Sequence, residues 1–316
     1  MRIIFFALLL LLVQINVSAD DVLRWTANDG QLILEDIPRI PESLPQTLSR
    51  YQNVRSARFS GWSRDSKQIY IKTRFGDIDQ LHRVDRPGGA RYQLTFGAEP
   101  IGEVVAQPGG KLLALTRDKG GDEFDQVYVL NPDNGLLRKL SDGVALNNRI
   151  TWDRRGDKLA YRSTRRNGRS SDIWIQDRES SRPATMVHAT EDGTLWKPVD
   201  FNRAGNLLLI QQFISIADSR IYIKNLDTGE LKLLAGDAEN PASNIATGFD
   251  ASDRNVLFVT NQRLGAAELA SVSINDEPVI TFAESAGNWD ITQFVLSPDR
   301  RRGAFVANEA GISRLY

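Results

Sequence analysis

The sequence predicts an all-β fold, a β-propeller of four-stranded blades with about six blades visible and an incomplete seven-bladed ring as the alternative closure. A turn-plus-strand unit recurs along the chain, its copies are evenly spaced, and a second hairpin follows each copy. Self-similarity at a fixed period is the signature of a repeat architecture.

The unit is an aromatic or apolar residue, a small or polar residue, a tight turn and an apolar β-run. Trp62-Ser63-Arg64-Asp65-Ser66-Lys67 leads into Ile69-Tyr70-Ile71, and Ala106-Gln107-Pro108-Gly109-Gly110-Lys111 into Leu112–Leu115. Trp152-Asp153, Phe201-Asn202, Phe249-Asp250 and Leu296-Ser297 open the other four copies. The turn column falls at Ser66, Gly110, Gly156, Gly205, Asp253 and Arg300, at successive distances of 44, 46, 49, 48 and 47 residues. That matches a four-stranded propeller blade of roughly 40–50 residues. Gly, Asn, Asp and Ser tolerate the positive φ of tight turns, and Pro presets φ before them.

Each copy is followed by another strand, such as Gln80–Val84, Gln126–Leu130, Asp172–Gln176 or Arg220–Lys224. A turn such as Asp227-Thr228-Gly229 and an outer strand such as Leu231–Leu234 complete the unit. A lone four-stranded sheet has two apolar faces and buries them only against neighbours, which a ring supplies.

The ends read differently. Residues 1–19 are a signal peptide, with Arg2 as n-region, an apolar run Ile3–Val13 and small residues Val17-Ser18-Ala19 at the cleavage site. Export places the mature chain in the periplasm or the medium. Residues 20–50 read as an extended lead-in carrying Pro38, Pro41 and Pro45, without a long helix, and strands within 22–35 could close the ring. Residues 51–316 are the propeller, ending inside the sixth unit as if truncated, with the tail from 290 poorly packed. The stretch 236–248 reads as a polar loop.

Composition narrows the function. With 39 Lys+Arg against 40 Asp+Glu there is no whole-molecule field to draw nucleic acid or an anionic membrane. The chain has no cysteine, which removes disulfides, thiolate metal sites and a Cys nucleophile. No G-x-S-x-G elbow, H-E-x-x-H or phosphate-binding glycine loop occurs. The only histidines, His82 and His188, read as packed or surface side chains, and Gly168-Arg169-Ser170-Ser171 as a hairpin tip. Asp118-Lys119-Gly120-Gly121-Asp122-Glu123 lacks the alternating ligands of a calcium loop and reads as a solvated hairpin loop. Arg162, Arg165, Arg166 and Arg169 form a basic hairpin and Arg300, Arg301 and Arg302 a basic turn, both read as solvated, although such clusters could hold a carboxylate or phosphate. The six tryptophans are spread among blades, as packing roles require. No residue is assigned as catalytic, cofactor-binding or metal-ligating.

Between residues 50 and 180 the sequence is denser in specific features. Tyr51-Gln52-Asn53-Val54-Arg55-Ser56-Ala57-Arg58-Phe59, Thr73-Arg74-Phe75-Gly76, Gln80-Leu81-His82, Gln93-Leu94-Thr95-Phe96, Asp118–Glu123 and Asp172-Ile173-Trp174 stand in order. This resembles the N-terminal propeller of bacterial prolyl oligopeptidase-family (S9) serine peptidases; beyond residue 180 only the blade pattern remains, which is shared with TolB-like and WD40-like propellers. The resemblance implies a non-catalytic domain that gates short peptides and docks on an α/β-hydrolase domain, which carries the Ser, Asp and His of proteolysis and is missing from this chain. The alternative is a stand-alone TolB-like periplasmic protein-binding propeller. A third reading is a propeller lactonase or glycosidase with carboxylates in its channel. No cofactor is called for, nor a membrane partner after signal cleavage.

Overall fold

A computed structural model describes residues 22–179, 182–275, 277–283 and 289–316. The signal peptide expected at 1–19 lies outside them. The chain divides into two units, residues 1–53 and 54–316.

In the first unit, β1 (Arg24–Ala27) and β2 (Leu32–Glu35) form an antiparallel hairpin. Trp25 Nε1 donates to Ile37 O at 3.0 Å, and the Arg39 guanidinium lies over the indole. Among the described residues the two strands form a two-stranded sheet of their own. The lead-in is not fully extended: α1 spans Ser43–Gln52. Pro45 falls in its first turn, where a missing N–H costs nothing because that donor has no intrahelical acceptor.

The second unit is a six-bladed β-propeller, in which every blade is an antiparallel meander. Blade 1 comprises β3 (Ala57–Trp62), β4 (Ile69–Thr73), β5 (Gln80–Val84) and β6 (Arg91–Gln93). Blade 2 comprises β7 (Val104–Ala106), β8 (Leu113–Arg117), β9 (Gln126–Leu130) and β10 (Leu137–Lys139). Blade 3 is built from β11 (Asn147–Trp152), β12 (Lys158–Ser163), β13 (Asp172–Asp177) and β14 (Thr185–His188). Blade 4 has β15 (Leu195–Phe201), β16 (Leu207–Ser215), β17 (Asp218–Asn225) and β18 (Leu231–Ala235). Blade 5 has β19 (Asn244–Phe249), β20 (Asn255–Thr260), β21 (Glu268–Ser273) and β22 (Ile280–Phe282). Blade 6 has three described strands, β23 (Asp290–Leu296), β24 (Gly303–Glu309) and β25 (Ile312–Leu315). Strand β19 corrects the loop reading of 236–248: Ala246 and Phe249 are buried, and buried Asn244 is tied to Ser219.

The repeat has a physical cause at each column. The polar residue after the aromatic closes the turn by accepting the backbone N–H five residues on. Ser63 Oγ accepts from Gln68 N at 3.0 Å, Gln107 Oε1 from Leu112 N at 3.1 Å and Asp153 Oδ1 from Lys158 N at 2.9 Å. Asn202, Asp250 and Ser297 do the same for Leu207, Asn255 and Arg302. The turn column takes positive φ at Ser66, Gly156, Gly205, Asp253 and Arg300; in blade 2 this residue is Gly109, not Gly110.

Apolar clusters fill the interfaces between successive blades. Tyr70 and Leu81 of blade 1 pack with Leu113 and Leu115 of blade 2, and Val127 and Val129 with Trp152 and Tyr161 of blade 3. Ile173 packs with Trp196 and Phe201 of blade 4, and Leu209 and Ile221 with Phe249 and Phe258 of blade 5. The terminal blades are barer. Trp152 is 3% exposed and donates from Nε1 to Val105 O of the preceding blade at 3.0 Å, whereas Trp62, at the same repeat position, is 56% exposed. In blade 6 Ile291 and Ala307 are buried, while Val295, Ile312 and Leu315 are exposed. This agrees with the sparse packing expected of the tail.

Candidate functional site

The innermost strands of all six blades surround a channel of about 1610 Å³. Five of these six strands, β3, β11, β15, β19 and β23, carry an irregularity in register against their partner. A bulge adds an unpaired residue, bends the strand and re-aims side chains. Val199, Thr247 and Thr292 are such extra residues, and all three line the channel. The wall thus mixes polar and apolar residues from the inner strands and the turns that join them.

The mouth formed by the repeat turns is laced by charged groups. Arg300 of blade 6 grips Asp200 of blade 4 with both guanidinium nitrogens, Nη1 to Oδ2 at 2.6 Å and Nη2 to Oδ1 at 2.7 Å. Its Nη1 also donates to Phe249 O of blade 5 at 2.9 Å. Asp200 Oδ2 accepts from Phe249 N at 2.9 Å. Arg154 of blade 3 pairs with Asp253 of blade 5 at 2.8 Å and donates from Nε to Phe201 O. Arg154 Nη2 also lies 3.8 Å from Asp200 Oδ2, so four blades converge on one buried carboxylate. Burial pushes the Asp200 carboxyl up, against the pull of Arg300, Phe249 N–H and Arg154. The clamp corrects the reading of Arg300 as a solvated turn residue, since only Arg301 and Arg302 are exposed there. Gly248 makes room for it: a Cβ there would lie 2.5 Å from Arg300 Nη1 and 2.9 Å from Asp200 Oδ2.

The other sequence candidates are dispersed. His82 is buried in β5, its Nδ1 on Gln80 O at 2.9 Å and its ring edge-to-face with Phe75. His188 lies against Trp196 at 4.7 Å. Burial lowers the pKa of both, and neither Nε2 has a partner among the described residues. Ser170 accepts from Asn167 Nδ2 at the β12–β13 hairpin tip. Asp118 and Asp122 accept backbone N–H groups of their own loop.

The basic hairpin splits into separate roles. Arg166 pairs with buried Asp172 at 2.7 Å, and Arg165 stacks 3.3 Å over Trp174. Arg162 turns inward from β12 and is 8% exposed.

Sequence reasoning missed a second repeated feature. Thr95 Oγ1 donates to Gln80 Oε1 at 2.7 Å and accepts Leu81 N–H; Ser141 does the same with Gln126 and Val127. The signal was a Gln opening the third strand and a Ser or Thr following the fourth.

No protein-family model matches the chain, and no curated protein matches it. Solved structures do. Prolyl oligopeptidase B from Galerina marginata, bound to a 35mer hydrolysis and macrocyclization substrate, matches 94% of this chain with a TM-score of 0.63 at 13% identity. TolB from Acinetobacter baumannii matches 92% of this chain and 71% of its own length, with a TM-score of 0.53 at 13% identity. An oligogalacturonate lyase in complex with manganese matches 78% of this chain and 69% of its own, with a TM-score of 0.57 at 11% identity. At these identities the likeness is one of fold. The chain spans half the length of the prolyl oligopeptidase chains it matches. Among the described residues no helix is long and apolar enough to cross a membrane.

Proposed function

We propose that this chain is the non-catalytic propeller of an exported, prolyl oligopeptidase-like serine peptidase. It admits short peptides to its channel and docks on an α/β-hydrolase domain that carries the chemistry. The observation that carries the reading is the channel of about 1610 Å³, lined by residues of all six inner strands and clamped at one mouth. A cavity of this size admits an extended peptide and excludes a folded domain. The two histidines stand apart in β5 and β14, each packed on an aromatic ring, so they suit packing rather than proton transfer.

The test is fluorescence polarisation of a labelled pentapeptide with the pure chain, with mass spectrometry of the peptide afterwards. Saturable binding that is lost when Thr247→Trp fills the channel, with the peptide intact, is expected. Cleavage by the pure chain sinks the non-catalytic part; binding indifferent to channel filling sinks the gating part.

The extent of the TolB match supports a second reading, a stand-alone periplasmic propeller that binds a protein partner. Binding of a folded protein that survives Thr247→Trp, with no affinity for the pentapeptide, favours it.

A further inference from the structure

Beside the channel, on blades 2 to 4, lies a cleft of about 420 Å³. Its walls are β7, β11 and β15, and its charged lining residues are Glu103, Arg149 and Lys197. Val105 and Val199 line both the cleft and the channel, so the two share a wall.

The cations here are under-used. Arg149 sits in the irregular stretch of β11 at φ +56°, a conformation that costs a non-glycine residue and recurs at ligand sites. Its guanidinium is 3.7 Å from Glu103, whose other oxygen is taken by Ile150 N at 3.0 Å. Lys197 is half-buried, and its ammonium makes no hydrogen bond or ion pair with any described residue. Behind them Arg162 is more than nine-tenths buried, and its Nε has no partner among the described residues. Next to it in the ladder, Asn148 Oδ1 is also buried without a partner.

The charge count selects the ligand. In the lining Arg149 and Lys197 stand against Glu103, two positive charges against one negative, so one positive charge is left; Arg162 and Asp125, which are not in the lining, offset each other. At the edges Lys72, which donates to Gly102 O, and Asp118, which faces Asp125, offset each other. One net charge suits a monoanion, and planar guanidinium donors suit a carboxylate.

We propose that the cleft lined by Arg149 and Lys197 is a carboxylate-binding subsite that anchors one negatively charged end or side chain of a peptide lying in the channel. It goes beyond gating by fixing where a charged peptide group rests. It rests on the peptide-binding reading only for the identity of the carrier, because free acetate should occupy it as well. Burial and the nearby Arg149 lower the Lys197 pKa, opposed by Glu103. Carboxylate binding therefore draws a proton onto Lys197 as pH rises, and weakens.

The test has two arms. In the first, acetate is titrated into the full chain while the Arg Nε–H signals are followed by NMR. Saturable shifts of Arg149, lost in Lys197→Met, are expected. Absence of shifts overturns the subsite whatever the channel binds. In the second, three otherwise identical peptides are compared: a free C-terminal acid, its C-terminal amide, and the amide with one internal Glu. The acid or the Glu peptide should bind about tenfold more tightly than the plain amide, about 1.4 kcal/mol, and Lys197→Met should abolish that difference without changing amide affinity. The tighter of the two charged peptides identifies the carboxylate source. Equal binding of all three overturns the proposal and leaves the peptide-binding reading standing; no binding of any peptide, with acetate shifts intact, leaves the subsite and removes the reading.

Discussion

Arg300→Ala removes the grip on Asp200 and leaves that carboxylate, with 7% of its side chain exposed, facing only Phe249 N–H and Arg154, 3.8 Å away. Breaking a buried ion pair by deleting one partner costs about 3–5 kcal/mol because the other charge stays buried. The two remaining partners put the expected loss at the lower end, about 3 kcal/mol. At roughly 2–4 °C per kcal/mol for a domain near this size, the melting temperature should fall by about 6–12 °C. Backbone strain does not confound the comparison, since φ is +60° and neither Arg nor Ala is glycine. The loss should also depend on pH. Burial already raises the Asp200 carboxyl above its ordinary 3.8, and deleting Arg300 removes the main opposing charge. Between 3.8 and the raised value the native state binds more protons than the unfolded one, so stability falls as pH rises through that window. The variant should therefore lie nearer the wild type at acid pH than at pH 7. Arg300→Lys keeps the charge but not the two-pronged geometry and should fall between. Urea and thermal melts at both pH values measure this. A melting temperature within about 1 °C of wild type, or a difference that does not change with pH, would refute the clamp as a stabilising element.

Three further outcomes are expected. Trp152→Ala should cost about 3–5 kcal/mol, against under about 1 kcal/mol for exposed Trp62→Ala, as read by denaturant midpoints. Gly156→Ala should destabilise more than Gly205→Ala: both take positive φ, but only the Cβ at 156 meets Gln107 Cγ at 2.6 Å and Pro108 O at 2.7 Å, while the one at 205 meets open space. Because burial lowers both histidine pKa values below 6.5, the unfolded chain binds more protons just below that pH, and stability should fall as pH drops through the window. A His82→Gln, His188→Gln double variant should flatten that slope, measured as urea midpoints between pH 5 and 7.

The blade period was legible because each repeat commits a polar side chain to its turn and an aromatic or apolar residue before it, and both are column features of the sequence. The helix at 43–52 was masked by its prolines, whose count reads as extended although Pro45 occupies the one turn that tolerates it. Strand β19 was hidden by Asn244, a polar residue whose buried hydrogen bonds exist only in the folded sheet. The clamp and the cleft were illegible for a related reason. Arg300 and Asp200 are 100 residues apart, and Arg162 sits in a run of arginines that looks uniformly solvated. What separates these arginines is which way a strand or turn faces, and that depends on register and bulges that no local pattern shows.

Hydrogen–deuterium exchange of the pure chain with and without a saturating pentapeptide tests the channel most directly. Slowed exchange in β11, β15 and β19, with the outer strands β14, β18 and β22 unchanged and the peptide recovered intact, is the expected result. Protection confined to the outer strands, or recovery of peptide fragments, would contradict a non-catalytic propeller that holds peptides in its channel.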